Sequence, residues 1–139
     1  MISTEKITDK FSQLDEYLGI LDGMLTTPLD RFLKDKILIG GAKYYLQVSI
    51  ECCLDIANHV IAAKGFRAPK DYPDSFKVLE EHDVVDADFG MKLRHMAKFR
   101  NRLVHLYGEI DDRYVYEFIR EDLHDILNFK RAIAAKFLA

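Results

Sequence analysis

Ile37-Leu38-Ile39-Gly40-Gly41-Ala42-Lys43-Tyr44-Tyr45-Leu46-Gln47-Val48-Ser49-Ile50-Glu51-Cys52-Cys53-Leu54-Asp55-Ile56-Ala57-Asn58-His59-Val60-Ile61-Ala62-Ala63-Lys64 is the stretch on which the fold turns. Leu38, Ala42, Tyr45, Ser49, Cys52, Ile56, His59 and Ala63 recur at steps of three and four residues, which is the period of one face of an α-helix. Leu46, Ile50, Cys53, Ala57 and Ile61 form a second face. A helix apolar on nearly every side, with only Gln47, Glu51, Asp55 and Asn58 as a narrow polar line, must be covered by others on several sides. The stretch therefore predicts a central helix, and with it a helical bundle. Gly40-Gly41 weakens its first turns or admits a close neighbour.

On the N-terminal side, Ile7, Phe11, Leu14, Leu18, Leu21 and Leu25 make a sustained helical stripe, interrupted at Thr26-Thr27-Pro28. Pro28 starts a short piece carrying Leu29, Phe32 and Leu33. Downstream, Gly65, Pro69 and Pro73 punctuate an irregular connection before a short helix with Phe76, Val78 and Leu79. Asp86 fits the N-cap of a further helix through Phe89, Leu93, Met96, Leu103 and Tyr107, with a stop near Gly108. A last helix begins at Asp111 or Asp112 and carries Val115, Phe118, Phe129, Ile133 and Phe137, although Asp122 breaks its apolar run. No alternating segment predicts a strand. The expectation is an all-α, four- to five-helix bundle forming one domain over residues 1–139.

Composition agrees: 49% hydrophobic and 31% charged residues exclude a disordered chain, and 139 residues suffice for one core without disulfide or metal. Cys52 and Cys53 are adjacent, so on a helix their side chains diverge by about 100° and do not pair. They are expected to be buried thiols in a reducing compartment, with a catalytic thiol as the alternative. The first residues lack the basic and apolar segments of a leader, and no stretch is expected to cross a bilayer, so the chain is placed in the cytosol with no membrane partner.

The net charge of −3 argues mildly against nucleic acid as a ligand. Its distribution matters more, because between Asp88 and Glu109 there is no acid while Lys92, Arg94, Lys98, Arg100 and Arg102 are all cationic, with His95 and His105 beside them. The segment reads as a local basic strip or as a solvated helix face. Within it, Arg100 falls on the apolar seam between Met96 and Leu103. A charge there serves either function or a side chain that snorkels to water.

The run Arg100-Asn101-Arg102-Leu103-Val104-His105-Leu106-Tyr107 resembles the R-x4-H-x-Y signature of the HepT-like ribonuclease toxins of the HEPN superfamily. The resemblance extends to Tyr45–Glu51 with Asp55–His59, to Arg67–Tyr72 and to Glu109–Asp111, and so covers most of the chain. It implies a toxin of a toxin–antitoxin pair: a metal-independent endoribonuclease, without cofactor, acting as a homodimer whose two motifs meet at the subunit interface. It also implies a cognate nucleotidyltransferase antitoxin that adds adenylate to Tyr107. His105, as neutral imidazole, suits a general base for a ribose hydroxyl, and Arg100 suits phosphoryl oxygens through its planar fork. Asn101 and Arg102 support the site.

Residues five apart on a straight helix are separated by about 140°, so Arg100 and His105 converge only if arginine wraps round, the helix end distorts, or a second subunit completes the site. The last is favoured. Tyr107 falls on the stripe of Arg100, which places its hydroxyl beside the catalytic cavity. Adenylate there would compete with RNA phosphate for the guanidinium.

Two alternatives differ in class. One is a non-catalytic helical module that binds the nucleotidyltransferase. The other is a metal-carboxylate bundle, drawing on Glu51, Asp55 and His59 or on the single Glu-x-x-His of Glu121 and His124.

Overall fold

In a computed structural model, which describes residues 1–138, the chain is all-helical. Helix α1 spans Thr4–Met24, α2 Leu29–Phe32, α3 Lys36–Lys64, α4 Tyr72–Glu81 and α5 Ala87–His105. A final run comprises α6 Asp112–Glu117, a π turn Phe118–Asp122 and α7 Leu123–Phe137. Counting that run once and setting aside the single-turn α2, the described residues form the expected bundle of five substantial helices.

α3 is the axis of the molecule, since each of the other six helices packs against it. Leu46, Ile50, Cys53, Ala57 and Val60 are completely buried along it, and Phe32, Phe76, Leu93, Phe129 and Ile133 close over them from the surrounding helices. By length and hydropathy α3 also reaches what a bilayer span requires, contrary to the expectation that no stretch does. More than half of that window is covered by protein, which is how the core helix of a bundle satisfies the same criterion.

Local chemistry sets the helix ends. Ser3, Asp35, Asp71 and Asp86 each accept a hydrogen bond from the backbone N–H three residues on, satisfying a donor the helix itself cannot. Gly65 closes α3 at φ +66°, a left-handed conformation that favours glycine. α5 stops at His105, before the expected position near Gly108, and Tyr107–Glu109 forms a 3-10 turn.

The π turn explains the break at Asp122. One extra residue in the turn rotates the succeeding helix by about 100°, so Ile119 and Ile126 both reach the core while Asp122 stands at its edge. Burial and the neighbouring Asp125 raise the Asp122 carboxyl above its ordinary range.

Cys52 and Cys53 are both buried and unpaired, as expected. Desolvation pushes Cys52 up to about 11 and Cys53 well above its usual value, so neither supplies a thiolate near neutral pH. Leu46→Ala removes a fully buried side chain from the axis and is expected to cost roughly 2–5 kcal/mol, whereas truncating Ile37, 89% exposed on the same helix, costs almost nothing. Urea denaturation of the two variants checks the contrast.

Candidate active site

Arg100 leaves the apolar seam of α5 toward the polar line of α3. Its Nε and Nη2 donate to Glu51 Oε2 at 2.9 and 2.5 Å, and Nη1 donates to Asn101 Oδ1 at 3.3 Å. The Tyr72 ring, at the start of α4, lies 4.7 Å from the guanidinium carbon. Only 14% of the Arg100 side chain stays exposed, so it is a seam charge held at the rim by an acid from the facing helix rather than a freely solvated one.

His105 is the last residue of α5 and is exposed; among the described residues its imidazole has no hydrogen-bond partner. Within one chain the hydrogen bonds of Arg100 go to Glu51 and Asn101, and none joins it to His105. Asn101 turns its oxygen to Arg100, not to His105.

Tyr107 departs from the expected placement. Because α5 has ended, its position follows the 3-10 turn instead of the helical stripe, and its hydroxyl lies beside Gly40 near the start of α3, where an added Cβ would stand 3.6 Å away. Lys43, only 6% exposed, fixes this turn: its Nζ donates to the Tyr107 carbonyl at 3.1 Å, pairs with Asp112 at 3.3 Å and sits 4.3 Å from the ring centroid. Lys43 and Glu51 are eight residues apart on α3, roughly 12 Å of helix rise, so the Tyr107 and Arg100 sites are neighbours and not one cavity. Tyr107 is nonetheless 49% exposed and approachable.

The cationic strip is less uniform in space than in sequence. Arg94 pairs with Glu80 at 2.6 Å and Arg100 with Glu51, while Arg102 lies 5.8 Å from the Tyr114 ring centroid and Lys98 is exposed. Val104, Leu106 and Tyr107 are uncovered beside His105 in the chain, and Tyr114 of α6, near Arg102, is uncovered too, so the end of α5 carries exposed apolar surface.

The residues considered for metal have separate employments. Glu51 serves Arg100, Asp55 accepts from Lys10 at 2.9 Å, and His59 Nε2 accepts from the Ser3 backbone N–H at 3.0 Å. Burial, followed by the positive charges of Lys6 and the N-terminus, lowers the His59 pKa, which suits a neutral acceptor. Glu121 pairs with Arg120, and His124 approaches Asp125. No three potential ligands cluster among the described residues.

The roles of three residues escaped the sequence reading of the site. Lys43 had a visible signal, a lone cation inside an apolar stretch. Glu51 was read as a polar-line residue, a candidate metal ligand or a support behind the site, without Arg100 as its partner, and Tyr72 had no signal beyond its place in the Arg67–Tyr72 segment.

Known proteins share this fold. The ribonuclease HepT-like family model matches residues 14–133. The chain belongs to that family. The mRNA nuclease HepT of Shewanella oneidensis is 29% identical over 107 residues, covering 77% of each chain. A putative RNase of Archaeoglobus fulgidus is 26% identical over 125 residues, covering 90% of this chain and 88% of the relative. The tri-AMPylated HEPN toxin of Shewanella oneidensis, solved in complex with an MNT antitoxin, superposes with a TM-score of 0.89 at 25% identity over 96% of this chain and 99% of that one. YutE, a cytosolic protein of unknown function from Bacillus subtilis, shares the fold at a TM-score of 0.82 and 21% identity, over 98% and 94% of the two chains.

In this HepT-like chain the loop before α4 is clamped by Arg67, which donates to both Asp74 oxygens at 2.8 Å and to Glu81 at 2.8 and 3.1 Å. The Arg67 guanidinium holds the Asp74 carboxyl well below the usual range. A depressed carboxyl stabilises the fold above its unfolded pKa, about 4, and that contribution fades as pH falls toward the folded value. Between about pH 6 and pH 3 the urea midpoint should drop less in Arg67→Met than in wild type, by an amount kept modest by solvent screening. For the second clamp, Lys43→Met should speed amide hydrogen exchange across residues 106–109 while leaving the α5 interior unchanged.

Proposed function

We propose that the chain is the toxin of a toxin–antitoxin pair, a metal-independent endoribonuclease that works as a homodimer. Arg100, held at the rim of the seam by Glu51, carries the reading, together with His105 standing free at the end of the same helix. A twofold pairing over the exposed apolar surface of Val104, Leu106 and Tyr114 would bring two such helix ends together, supplying the convergence that one straight helix does not.

The chemistry needs only groups present on the chain and its substrate. His105 of one copy takes the proton of a ribose 2′-hydroxyl, whose oxygen attacks the adjacent phosphorus. The 5′-oxygen leaves with its bonding electron pair and collects a proton from the second copy's His105, giving a 2′,3′-cyclic phosphate and a 5′-hydroxyl. Arg100 pairs with the non-bridging oxygens, where charge accumulates in the transition state. Asn101 steadies Arg100, and Arg102 adds positive charge on the same helix.

Neutralisation is proposed to follow from adenylate added to Tyr107 by a partner nucleotidyltransferase. The relative solved with an MNT antitoxin carries three AMP groups. Nucleotides in series have the reach that the separation of Tyr107 from Arg100 demands, which a small group on the phenol lacks. Each added phosphate brings negative charge toward guanidinium and imidazole groups that RNA phosphate would otherwise engage.

A second reading, a non-catalytic module that docks the nucleotidyltransferase, draws on the same Arg100–Glu51 pair, since a guanidinium already satisfied has less need of a phosphate. One experiment separates them. The unmodified protein, incubated in EDTA with tRNA and mRNA, should cut, and His105→Ala and Arg100→Ala should each lose on the order of 100-fold or more of that activity. No cleavage by wild type would leave the binding module standing, and equal cleavage by the variants would overturn the catalytic assignment of Arg100 and His105. With the partner enzyme and ATP, wild type should gain adenylate mass and lose activity, and Tyr107→Phe should do neither.

A further inference from the structure

We propose that Tyr72 is a nucleobase-stacking subsite for single-stranded RNA, receiving the base of a nucleotide that flanks the phosphate engaged by Arg100; this rests on the ribonuclease reading above. The Arg100 guanidinium carbon lies 4.7 Å from the Tyr72 ring centroid, so a cation for the phosphate and an aromatic surface for the base sit side by side. Tyr72 is 43% exposed, and among the described residues no other aromatic packs on its ring. A core role does not account for a residue so little buried.

The mount is rigid where an exposed tyrosine would ordinarily swing. Tyr72 is the first residue of α4, Pro73 fixes the next φ, and Asp71 caps the helix by accepting from the Asp74 N–H at 2.8 Å. Asp74 accepts in turn from the Lys70 N–H at 2.9 Å and from the Arg67 fork, which reaches on to Glu81. The backbone on both sides of Tyr72 is thereby tied down, and the ring itself rests against the Arg100 guanidinium, so less ordering entropy is lost when a base lands on it.

The chemistry favours a nucleobase. Single-stranded RNA is characteristically held by bases stacked on aromatic rings with arginine beside them, and such stacking tolerates any base because each has a π face. It also gives an acidic protein a source of RNA affinity that does not depend on net positive charge, and Lys70, exposed two residues away, adds a cation for the backbone.

The test uses the full-length protein, a single-stranded RNA oligonucleotide with a mapped cut site, and two versions abasic on either side of that site. On intact RNA, Tyr72→Ala should raise KM roughly tenfold, while Tyr72→Trp stays near wild type. On one of the abasic RNAs, wild type should lose the same affinity and Tyr72→Ala should cost nothing further, because ring and base are partners in one interaction. An equal Tyr72→Ala penalty on intact and both abasic RNAs would overturn the subsite, showing that the ring only braces Arg100. Wild type that cuts while Tyr72→Ala keeps its KM overturns the subsite alone. Wild type that cuts no RNA overturns the ribonuclease reading and the subsite together. Matching urea midpoints for the variants exclude unfolding as the cause.

Discussion

The constraint on which the other features depend is the central position of α3, whose apolar faces must be covered from several sides. A helix of 29 residues that is apolar on almost every side has to be wrapped, and each other helix of the chain touches it. Wrapping one cylinder with others leaves seams between the covering helices, and any polar group on the axis must either emerge through a seam or find a partner within it. Lys43, Glu51 and Asp55 show the consequence. Each is met at a seam by a residue of opposite charge from another element: Asp112 at the start of α6, Arg100 on α5 and Lys10 on α1. The motif residues that meet α3, Arg100 and Tyr107, do so at two of those seams, anchored on Glu51 and Lys43. The packing that hides the core is thus what holds the chemical groups at the surface.

Much of this architecture was legible because it is written in local periodicity. The stripes over Ile7–Leu25 and Leu38–Ala63 need no knowledge of distant residues, and the cap Asp86 and the break at Gly65 announce themselves within a few positions. Where local rules compete, the reading drifted. Gly108 looked like the stop of α5, but the helix yields at His105, where the Lys43 ammonium captures the Tyr107 carbonyl and pulls the chain into a tighter turn. Asp122 was seen as a flaw in an apolar run. It marks a π turn, whose added residue shifts the register so that the core face continues beyond it.

The site was less legible than the fold, for a reason of distance along the chain. The motif itself, Arg100 with His105 and Tyr107, stood out as a charge on a seam and by resemblance to a family. The residues that position it lie far away: Glu51 is separated from Arg100 by 49 residues and Lys43 from Tyr107 by 64. No period or spacing connects them, and only the packing of α5 on α3 does. For the same reason Tyr107 was placed beside Arg100, because a helical wheel continues past the residue where the real helix ends.

The energetics of the Arg100 seam bear on why a charge sits there. A half-buried ion pair loses hydration on both sides, and replacing such a pair with well-packed apolar residues is commonly neutral or stabilising. Leucine at both positions would close this seam at least as well as arginine and glutamate, so stability does not explain the pair. Removing Glu51 alone is a different matter, because it strands a guanidinium that has lost its solvent. The pair supplies a cation fixed in orientation at a rim: Nε and Nη2 are held by Glu51, one face lies against Tyr72, and Nη1 is steadied by Asn101. A guanidinium restrained in this way has already lost most of its rotamer entropy, so a phosphate arriving at its open edge meets a fork with little freedom left to lose. The same restraint sets a limit. Each hydrogen bond to Glu51 draws positive charge from the guanidinium, and phosphate must share it with the carboxylate, so Arg100 can serve catalysis only if the charge of the transition state exceeds that of the carboxylate in its claim on the fork. That requirement favours a reaction that builds negative charge on oxygen as it proceeds, and phosphoryl transfer does so.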